Sequence, residues 1–183
     1  GYELSTYDVA YDAGFGGTAD LFFTLRQSPT ALSVYIDDTW RPARSVLARL
    51  GLRAETVSGT GWAAVSPRAS VRWFATPDLA LTLAGGRHAQ WTHAVRNEDT
   101  PIRIFDFWVT SDRWLPVATA THLVAGGERW CGGRAFARVE AWGKRYDDLP
   151  EPDETDDPAR RGDEFLALRG SSYGVDVLLR RVE

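Results

Sequence analysis

The stretch LSVYIDDTWRPARSVLARLGLRAE, residues 32–55, holds two alternating segments joined by the link Arg-Pro-Ala-Arg. In the first, Leu32, Val34 and Ile36 share one face while Ser33, Tyr35, Asp37 and Thr39 share the other. In the second, Val46, Ala48, Leu50, Leu52 and Ala54 oppose Ser45, Arg49, Arg53 and Glu55. A period of two places alternate residues on opposite faces of a strand, so the stretch reads as a hairpin with one apolar and one charged face.

The same rhythm runs on through the chain. Further alternating stretches fall at about 68–76, 79–87, 120–130, 134–147 and 173–181, and a plausible strand lies at 2–10. Ala135, Ala137, Val139 and Ala141 oppose Arg134, Arg138, Glu140 and Lys144, and Val175, Val177 and Leu179 oppose Asp176 and Arg180. The links alternate short and long: Arg-Pro-Ala-Arg, Thr-Pro-Asp and Cys-Gly-Gly are tight, whereas about 57–66, 88–119 and 148–172 are long. Tight turns on one side and long loops on the other are how an outer-membrane barrel meets periplasm and exterior. The expectation is an all-β, antiparallel, up-and-down sheet of about seven or eight strands with almost no helix.

Alternation alone does not say whether the apolar face looks into a core or into lipid, since a soluble barrel has the same period with its faces reversed. Three features favour lipid: Leu, Val and Ala fill mid-strand while Trp40, Trp73 and Tyr173 stand towards strand ends, the other face carries many charges, and the long loops share one side. No run approaches the roughly 18 apolar residues of a membrane helix, which leaves a strand-built span open. The net charge of -4, with Lys and Arg dispersed, supplies no basic field for nucleic acid. Cys131 is the single cysteine and has no internal disulfide partner. With neither signal peptide nor initiating methionine, the chain reads as an internal segment of something longer.

Taken together the strand sequences resemble the TonB-dependent outer-membrane receptors. Tyr35, Asp38 and Trp40 precede a turn, and Gly51, Leu52 and Arg53 follow in the next strand. Ser66, Pro67 and Arg68 resemble a strand start of that family. Glu140, Lys144, Tyr146, Asp147 and Leu149 resemble a strand end, and Tyr173 to Asp176 an opening Tyr-Gly-Val-Asp. The resemblance covers about 150 residues. It implies a middle-to-late portion of a barrel of about 22 strands, with the plug domain and TonB box lying elsewhere. It also implies a bacterial outer-membrane location, lipid, plug and TonB as partners, and import of a scarce nutrient such as a metal chelate, without catalysis or a cofactor. The alternative is a small stand-alone ligand-binding barrel without transport.

Candidate sites divide by chemistry. The loop at 88–119 carries Trp91, Arg96, Arg103, Phe105, Phe107, Trp108, Arg113 and Trp114, aromatic faces and guanidiniums suited to a planar or anionic chelate. The competing reading is that Ile102, Ile104, Phe105 and Trp108 pack this loop onto the rim. Arg49, Arg53, Arg72, Arg138 and Glu140 would face the lumen and the plug. Gly170-Ser-Ser-Tyr-Gly174 matches G-x-S-x-G, but a strand follows it and no histidine lies beyond His122, so no nucleophile is read there. His88, His93 and His122 lack a metal-site frame and read as solvated histidines at the loop bases. The segment 147–164, acidic and rich in proline, lacks the spacing of a calcium loop and reads as a solvated loop.

Overall fold

The computed structural model describes residues 1–15, 21–95, 107–132, 134–153, 155, 162 and 165–181. Among these residues there is strand and turn but no helix. Eight strands make one sheet: β1 (Tyr2–Thr6), β4 (Thr30–Ala43), β5 (Val46–Val57), β6 (Ala63–Thr76), β7 (Leu79–Gln90), β10 (Ala118–Cys131), β11 (Ala135–Pro152) and β12 (Phe165–Arg181). They lie in that order, each antiparallel to the next. Two ribbons sit in the connections: β2 (Val9–Phe15) pairs β3 (Leu21–Gln27), and β8 (Thr92–Val95) pairs β9 (Phe107–Thr110). The expected meander is therefore present, with strands longer than the alternation alone marked out.

The short links are shorter still than they read. β4 continues through Pro42 to Ala43, and its register with β5 shifts between Trp40 and Ala43. A residue without an N–H is tolerated where the ladder is already irregular. β11 crosses a second irregularity between Tyr146 and Leu149, where Asp148 has φ 59°, and so carries strand pairing into residues that read as acidic loop. At the turn after Cys131, Gly132 takes φ 59°, a left-handed conformation open to glycine.

Following one pairing row across the sheet places every face. Trp40, Ala48, Val71, Leu83, Ala125, Ala141 and Val175 stand side by side on seven strands. The apolar run drifts across this row. On β4 it is Leu32, Val34 and Ile36, wholly on the long-connection side of Trp40, whereas on β12 it is Tyr173, Val175, Val177 and Leu179, astride Val175. The centre moves by about seven residues, ~23 Å, over inter-strand steps of ~4.8 Å, so the apolar band crosses the pairing rows at roughly 35–40°. The face is large and uncovered, with Ile36 69%, Leu50 61% and Leu179 75% exposed. β1 and β12 are the two edges of an open sheet.

Glycines on the polar face make room for large neighbours. A Cβ at Gly174 would lie 2.7 Å from the Trp142 ring, whose Nε1 donates to Asp176 Oδ2 at 2.9 Å. The indole thus covers the glycine of the paired strand. Gly174→Val is expected to displace Trp142, break its bond to Asp176 and cost about 1–3 kcal/mol, read from the denaturation midpoint.

Candidate functional site

The face opposite the apolar band carries the charges. Arg49, Arg53, Arg72, Arg138 and Glu140 all fall on it by strand parity, since each opposes residues such as Leu50, Val71 and Val139 along its own strand. Arg53 Nε donates to Glu55 Oε1 at 2.8 Å and its Nη2 reaches Glu3 Oε2 at 3.2 Å. Arg72 pairs with Glu128 across β7, and Arg138 pairs with Glu140 two residues along. Arg49 forms no ion pair among the described residues.

Arg49 instead lines a cavity of about 490 Å³ on this face, with Asp37, Arg68, Ser70, His88 and His122. Small residues open it: Gly51, Ala84 and Gly86 sit among the large polar ones. His88 and His122 are diagonal neighbours on β7 and β10, because His88 pairs Ala120 and His122 pairs Gly86. His122 Nε2 is buried without a hydrogen-bond partner among the described residues. The sequence separates these two histidines by some thirty positions, and only the β7–β10 register brings them together.

The long-connection end holds most of the buried side chains among the described residues. Val57, Val109, Leu115, Val117 and Ala118 are buried there, with Thr60, His93, Thr110 and Ser111. Hydrogen bonds tie this cluster to three connections. Trp62 Nε1 donates to the Asp112 carbonyl at 3.0 Å. Thr110 donates to Gln27 Oε1 through its N–H at 3.0 Å and its hydroxyl at 2.7 Å. His93 Nε2 meets Ser111 Oγ at 3.2 Å, and Asp112 Oδ1 accepts from the backbone of Trp114 and Leu115 at 2.7 and 2.8 Å. The connection at 88–119 is thus partly a strand ribbon seated on a small core, anchored by residues the alternation could not single out.

The candidate ligand residues separate accordingly. Trp91 is half-buried, lines a second cavity of about 210 Å³ with Glu3, Arg53 and Glu55, and its Nε1 is buried without a partner among the described residues. Trp108, Arg113 and Trp114 are exposed at the rim. The Trp114 ring lies against Gly162, where an added Cβ would fall 2.6 Å away, so this connection touches the acidic one. Phe107 begins β9. Arg96, Arg103 and Phe105 lie outside the described residues, as do Ile102 and Ile104.

The remaining motifs have structural roles. Ser172 of the G-x-S-x-G stretch sits inside β12, with Tyr146 Oη 3.3 Å from its hydroxyl. Asp153 Oδ1 accepts from Thr155 N–H and hydroxyl at 2.9 and 2.8 Å, which holds its carboxyl below the usual range. Among the described residues no three His, Cys, Asp or Glu side chains come together as a metal site.

Comparison with known proteins adds the architecture to which this sheet corresponds. The siderophore receptor PirA from Pseudomonas aeruginosa superposes on 96% of this chain and 39% of its own, with a TM-score of 0.65 and 13% identity. A mutant of the ferric enterobactin receptor PfeA, also from Pseudomonas aeruginosa, matches 86% of this chain and 25% of its own, with a TM-score of 0.63 and 13% identity. The fold is that of a segment of a siderophore-receptor barrel. The chain spans well under half the length of either receptor. No protein-family model and no curated protein matches it.

The rim carries a pH-sensitive contact. Burial holds the His93 imidazole below its ordinary pKa of 6.5, so the folded rim favours the neutral ring. Its contribution is complete above that ordinary value and declines as pH falls through it towards the folded one. Protection factors of the β8 and β9 amides, corrected for intrinsic base-catalysed exchange, are expected to fall between pH 7.5 and 5, with the change flattened in His93→Gln. Trp62→Phe, removing the bond to Asp112, is expected to cost about 0.5–1.5 kcal/mol in the same region.

Proposed function

We propose that this chain forms part of the barrel of a TonB-dependent outer-membrane receptor that imports a scarce nutrient such as a metal chelate. The observation that carries this reading is the oblique apolar band. A transmembrane barrel tilts its strands by roughly 35–45° and keeps its apolar belt level with the bilayer, so the belt must cross successive pairing rows at that angle. A soluble barrel tilts its strands as well, so what favours lipid is that this tilted band stands uncovered, with Ile36, Leu50 and Leu179 exposed on it. The open edges agree, since among the described residues β12 and the far half of β4 have no further strand partner, and hydrocarbon cannot satisfy the backbone groups so exposed. Further strands of a wider barrel would satisfy them, which counts against the stand-alone alternative.

In this reading the tight turns face the periplasm and the long connections face outwards. Lipid contacts Leu50 and the oblique apolar band to which it belongs, while Arg49, Arg53, Arg72, Arg138 and Glu140 face the lumen and a plug domain. Substrate is met first at the rim, where Trp108, Arg113 and Trp114 offer aromatic faces and a guanidinium to an anionic chelate. The plug then couples binding to TonB. The acidic connection repels such a ligand and is assigned no part in capture.

Two measurements test this. In the full-length protein Leu50→Arg is expected to destabilise the inserted barrel by roughly 2–4 kcal/mol near the bilayer midplane, while Arg49→Ala is mild, both read as heat-modifiable gel mobility. Equal effects would mean that the faces are reversed. Combined Trp108→Ala, Arg113→Ala and Trp114→Ala is expected to weaken whole-cell binding of a ferric chelate about tenfold or more. Unchanged binding would remove the rim from the capture site.

A further inference from the structure

A second polar site stands on the charged face, apart from the rim. Its place inside a lumen rests on the barrel reading, whereas its chemistry rests on the sheet alone. One pairing row of that face reads Arg68, Gly86, His122, Lys144 and Ser172 across β6, β7, β10, β11 and β12. In the row above it stand His88, Ala120 and Tyr146, and in the row below Ser70, Ala84, Val124 and Trp142. On β6, β7, β10 and β11 these rows hold no carboxylate. Arg68 and Lys144 accordingly form no ion pair among the described residues.

Gly86 makes this row concave. A Cβ there would fall 2.9 Å from Arg68 Cγ, so the arginine stem leans over Gly86, towards the histidines. Arg68, Gly86, His88 and His122 line one end of the 490 Å³ cavity. The acidic residues lining that cavity, Asp37 and Asp38, belong to β4, two strands from Arg68 and four from His122, ~10 and ~19 Å, with Arg49 of β5 between. The cavity is balanced as a whole, but its charges are segregated.

Two polar atoms at the basic end are buried without a hydrogen-bond partner among the described residues, His122 Nε2 and Ser66 Oγ, and Ser66 is only 4% exposed. Ser66 shares the face of Arg68, two residues before it. The β6–β7 ladder stops at Arg68 and Gly86, although β6 follows β5 to Ala63 and β7 follows β10 to Gln90. The interval between Ser66 and His88 is therefore unladdered. Lys144, its ammonium 5.4 Å from the Trp142 ring, adds a second fixed charge one strand beyond His122. What the patch lacks is an acceptor, since guanidinium and ammonium only donate, and leaving a buried donor unmet is costly.

We infer that this patch binds a phosphate group, its oxygens accepting from Arg68, His88, His122 and Ser66, with Lys144 adding positive field at the flank. A guanidinium beside imidazole and hydroxyl donors offers bonds from several directions, which a tetrahedral oxyanion uses more fully than a planar carboxylate. His88 stands two residues inside the Gln90 end of β7, so a solute leaving the rim meets this part of the wall next.

The test is equilibrium dialysis of radiolabelled inorganic phosphate against the full-length protein in detergent, with methyl phosphate and acetate as competitors. Phosphate is expected to be retained, with affinity lower by about tenfold in Arg68→Gln and about fivefold in His122→Gln, while Arg134→Gln in a short turn leaves it unchanged. Competition by methyl phosphate supports a phosphate carried on a solute, and its failure to compete supports the free ion. No retention at about 10 mM phosphate, or retention unchanged in both variants, overturns the site. Acetate competing as well as methyl phosphate overturns the assignment to phosphate. Quenching of a label at Leu50→Cys, in Cys131→Ser, by brominated lipid in bilayers reports separately on the barrel. Quenching with no phosphate retained overturns this inference alone; retention with no quenching supports the site and overturns its place in a lumen.

Discussion

Side chains alternate across a strand with no intermediate option, so a one-residue slip in any ladder would turn a whole strand inside out. Between β4 and β5 such a slip would carry Arg49 and Arg53 onto the apolar face and Leu50 and Leu52 onto the charged one. Everything else in the sheet depends on that register. The cross-strand pair Arg72 and Glu128 exists because β6, β7 and β10 are held in step, and so does the meeting of His88 with His122. The register is redundant, because each interior strand is fixed by two neighbours, and the penalty of the wrong face is repeated along its length.

That redundancy explains what was legible in the sequence. Where an apolar face opposes a charged one, as in Leu32–Thr39 or Val46–Glu55, the period of two is plain and the strands fall where it places them. Two kinds of element escaped. THAV and FWVT, which form β8 and β9, are too short for a period to show. VAYDAGF and LFFTLRQ, which form β2 and β3, do alternate, Val9, Tyr11, Ala13 and Phe15 against Asp12 and Gly14 and Leu21, Phe23 and Leu25 against Thr24 and Arg26, but each runs for only seven residues and goes unmarked beside the longer stretches. The end of β11 escaped for another reason: Asp147, Asp148 and Pro150 carry loop chemistry, yet an irregularity with Asp148 at positive φ lets pairing with β12 resume at Leu149. The rim contacts were illegible altogether, since Gln27 to Thr110 and Trp62 to Asp112 join residues far apart in sequence through polar atoms that leave no periodic trace.

The placement of buried residues also divides labour between the two ends. The sheet itself has no interior of its own, since large side chains stand exposed along its apolar face. The compact packing lies at the long-connection end, where Val109 of the β8–β9 ribbon, Leu115 and Val117 are buried and Trp62 bonds to the Asp112 carbonyl. Loops that display binding groups gain from a rigid base, because fixing them beforehand removes ordering entropy from the binding step. Trp91 within this packing and Trp108, Arg113 and Trp114 outside it therefore have different tasks, although the sequence presents them as one aromatic, arginine-rich run.

The charged face sets a condition on whatever stands opposite it. Its ion pairs are partly exposed, and such pairs contribute about 0–1 kcal/mol each, too little to hold the sheet together. What they do is consume carboxylates. Glu55, Glu128 and Glu140 are taken by Arg53, Arg72 and Arg138, and Asp176 accepts from Trp142. Around the 490 Å³ cavity this leaves Arg49 and Arg68 with Asp37 and Asp38 as the carboxylates lining it. The lining of this concavity is therefore balanced, two guanidiniums against two carboxylates, and its net charge selects neither an acidic nor a basic partner. Any element facing this cavity would be matched by the pattern of its charges rather than their sum, acidic groups over Arg49 and Arg68 and donors over Asp37 and Asp38, since like charges set opposite each other in a confined space repel.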